Sequence, residues 1–450
     1  MNSTFTKPKR QTNKKLVPPA QMLRRASFLL LLFFLSNAFS CKEDPPVIPP
    51  PPPPVLKDTL TVAITDVTHR SLSVNVQCTM YNVQSLVRLY RLFNSNETLV
   101  SEFPITIQDT TIIDDNNGTG LQLNTNYFYY AVRIDTLDER KDSSNFVEAA
   151  TLDTTSHNYT WQEFVIGEWQ SSLYDVWGTD ENNVWAVGGL TIGGKFYGAM
   201  HWDGTDWTPD STVGGSAIFG FSANDIWVAG GGIFHYDGQN WNDMLFVDPL
   251  FINNIPYTSI WGTSSSNLYL GNQWGKIIHW DGSKARVIQS YDGTYITDIS
   301  GIENVGLYLV GQPNTSSGNN IISFFNGIQW VNINDQSVLN TYPRTIKMFN
   351  KNMVFIGGNN LFEKQGQSWT YRSIGNYGTI EKISGSKSNN IFTVGFFKEL
   401  YHFNGITWHF YEELKAQHGV FNGVITLGSK VFIAGQNQNM TSAVILIGNN

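Results

Sequence analysis

The sequence predicts an all-β protein in which a β-sandwich is followed by a seven-bladed β-propeller. Short segments alternate between apolar and polar residues from about Leu56 onward, as strands with one buried face do. From Trp161 to the end, a unit of four such segments recurs about every 40 residues, which is typical of a propeller blade. Asp-Gly and Asn-Gly pairs, which favour tight hairpin turns, separate the segments.

Residues 1–40 carry the features of an export signal. Arg24 and Arg25 precede an unbroken apolar run from Phe28 to Leu35. This run is too short to cross a bilayer, which takes about 20 residues, but it suits the apolar part of a signal peptide. The segment Ala38-Phe39-Ser40-Cys41 resembles the lipobox of bacterial lipoproteins, which implies a lipid on Cys41 that attaches the protein to a membrane. An ordinary secretory signal with an incidental cysteine is the alternative.

Residues 41–55 are predicted to be the lipidated cysteine and a proline-rich linker. Lys42-Glu43-Asp44 resembles the surface-export signal of Bacteroidota lipoproteins, which implies the outer face of the outer membrane; a solvated charged spacer is the alternative. Pro45 to Pro54 cannot form helix or sheet and favours an extended rod of about 3.1 Å per residue. The next domain would then stand roughly 30 Å from the lipid.

Residues 56–154 are predicted to form the β-sandwich, because about 100 residues with roughly seven short strands suit that fold. The segment from Leu121 to Arg133 resembles the tyrosine-corner segment of fibronectin type III domains, with Tyr127 as the corner tyrosine. This resemblance implies a spacer domain. Cys78 has no disulfide partner if Cys41 carries lipid, so we expect it to be a small buried residue in a strand.

Residues 158–450 are predicted to form the propeller. In each unit the second strand ends in glycine, namely Gly188, Gly230, Gly271, Gly311, Gly357, Gly395 and Gly435. Most units place a tryptophan three residues after the glycine of the third-strand turn, as at Trp207, Trp241, Trp330, Trp369 and Trp408. We expect these tryptophans to fill the wedges between neighbouring blades.

The seventh unit ends at Val444 to Gly448 and lacks a fourth strand. The missing strand is predicted at the other end of the propeller, because Trp161-Gln-Glu-Phe-Val is similar to Trp369-Thr-Tyr-Arg-Ser. Closure by this N-terminal strand would leave no exposed sheet edge.

The turns between third and fourth strands loosely resemble the Asp-box repeats of sialidase-like propellers, without the Ser or Thr that leads that motif. The whole repeat also looks like the Val-Trp-Gly, Val-Trp-Ala-Val-Gly and His-Trp-Asp-Gly propellers of uncharacterised bacterial surface proteins. That resemblance implies a fold and says little about activity.

No catalytic residues, metal site or cofactor are predicted. His201, His235 and His279 repeat at equivalent positions, so they are expected to lie a blade apart and to pack in the framework rather than to share a metal ion. Asp203, Asp237 and Asp281 are likewise expected to be turn residues. A sialidase-like site needs converging arginines, and the only arginines after Trp161 are Arg286, Arg344 and Arg372. The net charge of −8 argues against a nucleic-acid partner.

Ligands of propellers usually meet the face where the fourth-to-first-strand loops gather around the axis. The candidates for ligand binding on those loops are Trp169, Tyr257, Tyr295, Arg344, Tyr377 and His418. Aromatic side chains there would stack on sugars or anchor a protein, and padding of the ring entrance is the alternative. The favoured function is non-catalytic binding of a protein or glycan at the cell surface. A propeller glycoside hydrolase and a scaffold subunit of an outer-membrane surface complex are the other hypotheses.

Overall fold

The computed structural model describes residues 59–450 except 80–84, 106–108, 135–138, 249, 251–255, 366–367 and 440. The predicted signal peptide, Cys41 and the proline-rich linker therefore lie outside the described residues. The described helices are one α-helical turn, α1 (Gln336–Leu339), and two 3-10 turns, Met244–Phe246 and Glu412–Leu414. No helix in this part of the chain has the length and apolar character needed to cross a membrane. The prediction of an all-β chain is confirmed.

Two antiparallel sheets pack on each other at the beginning of the described chain. Their strands are β1 (Leu60–Val67), β2 (Leu72–Cys78), β3 (Leu86–Phe93), β4 (Asn96–Pro104), β5 (Asp109–Asp114), β6 (Asn126–Ile134), β7 (Arg140–Ser143) and β8 (Val147–Ala150). One sheet has the order β1-β2-β5; the other has the order β4-β3-β6-β7, with β8 also paired to β6. Their shared core includes Leu72, Val74, Leu89 and Tyr129.

Two residues that the sequence singled out lie in this sandwich. The hydroxyl of the buried Tyr127 accepts a hydrogen bond of 3.0 Å from the backbone N–H of Gln122, as a corner tyrosine does. Cys78 is a buried free cysteine at the end of β2.

Seven four-stranded antiparallel sheets follow in the described residues, and we number them sheets 1 to 7 in chain order. Sheets 1 to 4 consist of β10 (Ser172–Asp180), β11 (Asn183–Ile192), β12 (Lys195–Trp202), β13 (Trp207–Asp210); β14 (Ala217–Ser222), β15 (Asp225–Ala229), β16 (Ile233–Tyr236), β17 (Trp241–Asp243); β18 (Tyr257–Ser264), β19 (Asn267–Asn272), β20 (Lys276–Trp280), β21 (Ala285–Ser290); and β22 (Thr294–Ile302), β23 (Gly306–Pro313), β24 (Ile321–Phe325), β25 (Trp330–Asn332). Sheets 5 to 7 consist of β26 (Thr345–Asn350), β27 (Met353–Gly357), β28 (Leu361–Gln365), β29 (Ser368–Arg372); β30 (Ile380–Lys387), β31 (Asn390–Gly395), β32 (Leu400–Phe403), β33 (Trp408–Phe410); and β34 (Val420–Leu427), β35 (Lys430–Gln436), β36 (Ala443–Asn449) with β9 (Thr160–Ile166).

The sheets form a closed cycle. The first strand of each sheet contacts the first strand of the next, and β34 of sheet 7 contacts β10 of sheet 1. Sheet 7 takes its fourth strand from the N-terminal side, because β9 pairs with β36 from Thr160 opposite Asn449 to Ile166 opposite Ala443. This is the strand exchange that the sequence predicts.

Aromatic residues fill the spaces between neighbouring sheets. Trp241 of sheet 2 meets Trp185 of sheet 1 edge-on, with ring centroids 5.5 Å apart. Trp369 of sheet 5 meets Tyr308 of sheet 4 in the same way at 6.4 Å. Trp161 on β9 contacts Tyr411, between sheets 6 and 7, at 5.0 Å. The tryptophan repeat therefore supplies contacts between sheets, as expected.

The repeated histidines pack in the framework. The ring of His201 stacks on Trp185 at 4.3 Å, and its Nε2 lies 2.8 Å from Oδ1 of Asn183. His235 and His402 stack in the same way, His279 packs tilted against Tyr269 at 4.7 Å, and all three make an equivalent hydrogen bond. The described residues contain no group of three or more His, Cys, Asp or Glu that could hold a metal ion.

The turns between third and fourth strands share one hydrogen-bond pattern. Oδ1 of Asp237 accepts hydrogen bonds from the backbone N–H groups of Gln239 and Asn240, at 2.9 and 2.8 Å. These bonds lower the pKa of Asp237 to about 2. Gly238 follows with a φ of +93°, a conformation that glycine adopts without strain. The same pattern recurs at Asp203, Asp281, Asn326 and Asn404.

The sandwich packs against the turns of sheets 5 and 6. Asn350, in the first turn of sheet 5, donates a hydrogen bond of 3.0 Å to the carboxylate of Asp66. In the first turn of sheet 6, the hydroxyl of Ser388 accepts a bond of 3.2 Å from the backbone N–H of His69. The antiparallel strand order puts the first-to-second and third-to-fourth turns at one end of every sheet. We call that end the turn face, and the other end the mouth face.

Candidate binding face around the central mouth

A polar ring surrounds the axis at the mouth face. One residue from the beginning of each first strand, or just before it, lines a cavity of about 240 Å³. These ring residues are Tyr174, Ser216, Thr258, Thr297, Arg344, Glu381 and Asn422, one from each of sheets 1 to 7. All eleven residues that line the cavity carry a polar side-chain atom. We call this cavity the mouth.

A bulge in the first strand places most of the ring residues. In sheet 1, the register with β11 shifts between Leu173 and Asp175, which leaves Tyr174 without a pairing partner on that strand. The register shifts in the same way around Thr258, Thr297, Glu381 and Asn422. The repeated glycine of the second strand lies opposite the bulge: a Cβ on Gly188 would come within 2.2 Å of the carbonyl oxygen of Ser172. This close approach explains why the second strand of sheet 1 needs glycine there.

Several ring residues fasten one sheet to the next. The hydroxyl of Thr297 in sheet 4 donates a bond of 3.2 Å to the carbonyl of Pro343, just before sheet 5. The amide of Asn422 in sheet 7 donates a bond of 2.7 Å to the carbonyl of Leu173 in sheet 1. These side chains therefore stabilise the ring as well as line the mouth.

An ion pair crosses the mouth between sheets 5 and 6. The guanidinium of Arg344 donates from Nε to Glu381 at 2.9 Å and also bonds the same oxygen through Nη2. Burial raises the pKa of Glu381, against the opposing effect of Arg344. Tyr295 lies beside this pair, and burial raises the pKa of its phenol. The ion pair thus forms one charged wall of the mouth.

Three charged residues lie one position further along the first strands. Nζ of Lys382 is 3.3 Å from a carboxylate oxygen of Asp298 and 3.9 Å from one of Asp175. Burial alone would lower the pKa of Lys382, but the two carboxylates raise it above its ordinary value. Asp175 and Asp298 also accept backbone bonds from Ile218 and Ile346 of the following sheets. This cluster joins three sheets at the floor of the mouth.

A further cavity continues along the axis below that floor. It has a volume of about 390 Å³. Each sheet contributes to its lining the β-branched aliphatic residue two positions after the ring residue. These residues are Val176, Ile218, Ile260, Ile299, Ile346, Ile383 and Val424. Most of them are buried. The polar mouth is therefore followed along the axis by one complete ring of aliphatic side chains.

Exposed aromatic side chains concentrate on the mouth face. Among residues 160–450 whose exposure is described, eight of the Trp, Tyr and Phe side chains are exposed. Seven of them lie on fourth-to-first or second-to-third connections or at the adjoining strand ends, namely Trp169, Tyr174, Phe196, Trp274, Tyr342, Tyr377 and Phe396. The eighth, Tyr371, lies on an outer strand.

The structure separates the six predicted ligand-binding residues into three groups. Tyr295 and Arg344 line the mouth together. Trp169, Tyr377 and His418 are exposed on mouth-face connections but do not line the mouth. Tyr257 was expected to be an exposed aromatic, and this is wrong. Its side chain is fully buried, and its hydroxyl donates a bond of 2.7 Å to the carbonyl of Leu250.

The three arginines of sheets 3 to 6 do not converge. Arg344 pairs with Glu381 at the mouth, whereas Arg286 pairs with Asp281 and Arg372 pairs with Glu363 on outer strands. Each guanidinium thus has a different carboxylate partner. This arrangement provides no clamp of several arginines for one acidic sugar.

No protein-family model matches the chain, and no curated protein matches it. Among solved structures, the chain is similar to YCF48 bound to D1 peptide, with a TM-score of 0.51 and 16% identity over 66% of this chain and 100% of that chain. It is also similar to BBS1N in complex with ARL6DN, with a TM-score of 0.44 and 12% identity over 64% of this chain and 96% of that chain. The likeness to YCF48 shows that the two share a β-propeller fold.

Proposed function

We propose that this is a lipid-anchored cell-surface protein whose propeller binds a protein partner on the mouth face without catalysing a reaction. In this proposal the seven sheets are the seven blades of one closed propeller. The sandwich is a fibronectin type III-like spacer, and Cys41 carries the lipid at the outer membrane.

The concentration of exposed aromatics on one face carries the proposal. Exposed Tyr, Trp and Phe are enriched where proteins bind one another, because they bury a large area with little loss of conformational freedom. The propeller of YCF48, whose structure holds a D1 peptide, offers a precedent for such binding on this fold. The mouth is smaller than the 300 to 1,000 Å³ typical of sites for small molecules, so a single side chain of a partner suits it better than an oligosaccharide does.

The position of the sandwich supports the same face. It covers turns of sheets 5 and 6, so it occupies the turn face and leaves the mouth face uncovered. A partner could therefore reach the mouth without displacing the sandwich.

Site-specific photo-crosslinking on intact cells tests the binding proposal. A photoreactive residue at Trp169 or Phe396 on the mouth face should capture one discrete partner, and adding Tyr342→Ala/Tyr377→Ala to the same chain should weaken that capture. The control position is Ile328, which is 89% exposed on the turn face. Equal capture from Ile328, or capture only of glycans from the mouth-face positions, would reject a protein partner on this face.

The anchor has a separate test. Cys41→Ser should release the protein from the membrane fraction without changing its unfolding temperature, because the lipid would attach only through that sulfur. Unchanged retention in the membrane fraction would reject the lipid assignment.

A further inference from the structure

A second cavity lies where the sandwich meets the turn face of sheets 5 and 6, and none of its lining residues lines the mouth. It has a volume of about 670 Å³, within the range of sites for small organic molecules. The sandwich contributes His69, Arg70 and the segment 120–123; the sheets contribute aromatic and charged side chains. We call this cavity the junction pocket.

One wall of the junction pocket is apolar. Phe355, Phe403 and Trp408 line it from β27, β32 and β33, and the rings of Phe403 and Trp408 lie 5.1 Å apart. Leu121 of the sandwich closes this wall from the other side. A flat or aliphatic body would bury apolar surface against these side chains.

The other wall carries an excess of positive charge. Arg70 and Arg372 both line the pocket, and Glu363 is its only lining carboxylate among the described residues. Arg372 bonds Glu363 through Nε at 2.6 Å, whereas a guanidinium nitrogen of Arg70 donates to the carbonyl of Thr119 at 2.5 Å. The pocket therefore holds two guanidinium groups for one carboxylate, and guanidinium geometry matches a carboxylate ligand.

His69 lines the junction pocket from the sandwich as a buried, neutral residue. The residue is only 6% exposed, and its Nδ1 is buried without a hydrogen-bond partner among the described residues. Burial, with the charge of Arg70, lowers the pKa of His69 to about 4, so the ring is neutral at pH 7.

We propose that the junction pocket binds a small organic anion with an apolar body, its carboxylate held by Arg70 and Arg372 and its body packed on Phe403 and Trp408. This site is separate from the mouth and does not depend on the function proposed for the mouth face. Because the pocket is shared by the sandwich and two sheets, an occupant would also bridge them.

Calorimetry on the purified chain tests the site with 4-phenylbutyrate and its uncharged amide as probes. The acid should bind, and the amide should bind at least about tenfold more weakly, since it loses the charge-assisted bonds. Arg70→Gln and Arg372→Gln should each weaken binding of the acid by about tenfold or more. The matched control is Arg286→Gln, which removes another fourth-strand arginine that pairs with a carboxylate but lies outside the pocket.

Arg372→Gln leaves Glu363 unpaired, so Glu363→Gln/Arg372→Gln serves as a second variant that leaves no buried unpaired charge. This double variant should fold and should still fail to bind the acid. The proposal is overturned if the acid and the amide bind with equal affinity, or if the acid gives no heat of binding up to about 1 mM. It is also overturned if Arg286→Gln weakens binding of the acid as much as Arg372→Gln does.

Discussion

The repeated framework and the mouth face of this protein use the same strands in opposite ways. In the framework, most equivalent positions keep a similar residue type and the same contact: a histidine packed on an aromatic ring in four sheets, an Asp or Asn that caps the turn in five, and the tryptophans between sheets. In the mouth ring, seven equivalent positions hold six residue types. Contacts that repeat with the fold serve the fold, whereas a ring whose chemistry changes from sheet to sheet is suited to recognition.

The largest effect expected from this comparison is on stability, at the tryptophans between sheets. Trp161 and Trp369 are both half-buried, although Trp161 reaches sheet 7 from the N-terminal side. We expect Trp161→Ala and Trp369→Ala each to lower the free energy of unfolding by roughly 3 kcal/mol, through lost packing and an unfilled wedge. Denaturant unfolding of the purified chain measures both.

Trp274→Ala is the control for this pair, because Trp274 is 51% exposed on the mouth face. If Trp161→Ala unfolds like the wild type while Trp369→Ala does not, β9 contributes little to the ring. The proposed closure of the seventh blade would then have to be revised.

The next effect is a dependence of stability on pH that arises at two buried histidines, His402 in the framework and His69 in the sandwich. Burial lowers the pKa of His402 to about 3 and, with the charge of Arg70, that of His69 to about 4, from 6.5. The unfolded chain therefore binds these protons at a higher pH than the folded chain does, and stability is lost as pH falls below about 6.5. Each histidine should lower the free energy of unfolding by about 2 kcal/mol as the pH falls from 6.5 to 5.

Unfolding measured at both pH values in His402→Gln and His69→Gln checks this expectation. Each variant should lose less stability on acidification than the wild type. His418→Gln is the control, because His418 is exposed on the mouth face. If the His402→Gln and His69→Gln variants keep the full acid sensitivity, other groups cause it.

These two predictions also show what the sequence could foresee. Periodicity predicted the strand exchange of β9, the wedge tryptophans and the turn aspartates, because each depends on a local pattern that recurs in register. The prediction that Tyr257 is an exposed ligand-binding residue was wrong. Neighbouring strand residues face opposite sides, so Thr258 lines the mouth and Tyr257 is buried. The first-strand motif ends in a glycine, such as Gly178 or Gly262. The residue four positions before that glycine is the ring residue, which is Tyr174 or Thr258 in these two sheets.

Other features had no signal in the sequence. The junction pocket depends on how the sandwich meets sheets 5 and 6, and its members His69 and Trp408 are more than 300 residues apart in the chain. The bulges that direct the ring residues inward arise from strand pairing, not from a distinctive residue. Trp274 and Phe396 lie on second-to-third connections, whereas the expectation for propeller ligands points only to the fourth-to-first connections.

A smaller effect is expected at the turns. Oδ1 of Asn404 accepts backbone bonds of 3.0 and 2.9 Å from Ile406 and Thr407. Asn404→Ala should lower the free energy of unfolding by about 1 kcal/mol, similar to the loss of a helix-capping side chain. Asn404→Asp is the conservative comparison, because it keeps the accepting oxygen. Equal destabilisation by both substitutions would show that the side-chain bonds are not what stabilises this turn.

The smallest effect is expected where binding is proposed. Trp169 is 69% exposed and Tyr377 is 79% exposed, so neither side chain loses much apolar burial on truncation. Trp169→Ala and Tyr377→Ala should each change the free energy of unfolding by less than about 0.5 kcal/mol. Tyr377 has one additional contact, since Nζ of Lys415 lies 3.9 Å from its ring centroid, but an exposed contact of this kind contributes little. Denaturant unfolding of both variants beside Trp161→Ala decides between the two interpretations of the aromatic face. Unchanged stability means that the fold does not need these side chains, which leaves binding as the reason for their exposure. Losses close to that of Trp161→Ala would instead show that they pad the ring entrance, and the aromatic face would no longer support a partner there.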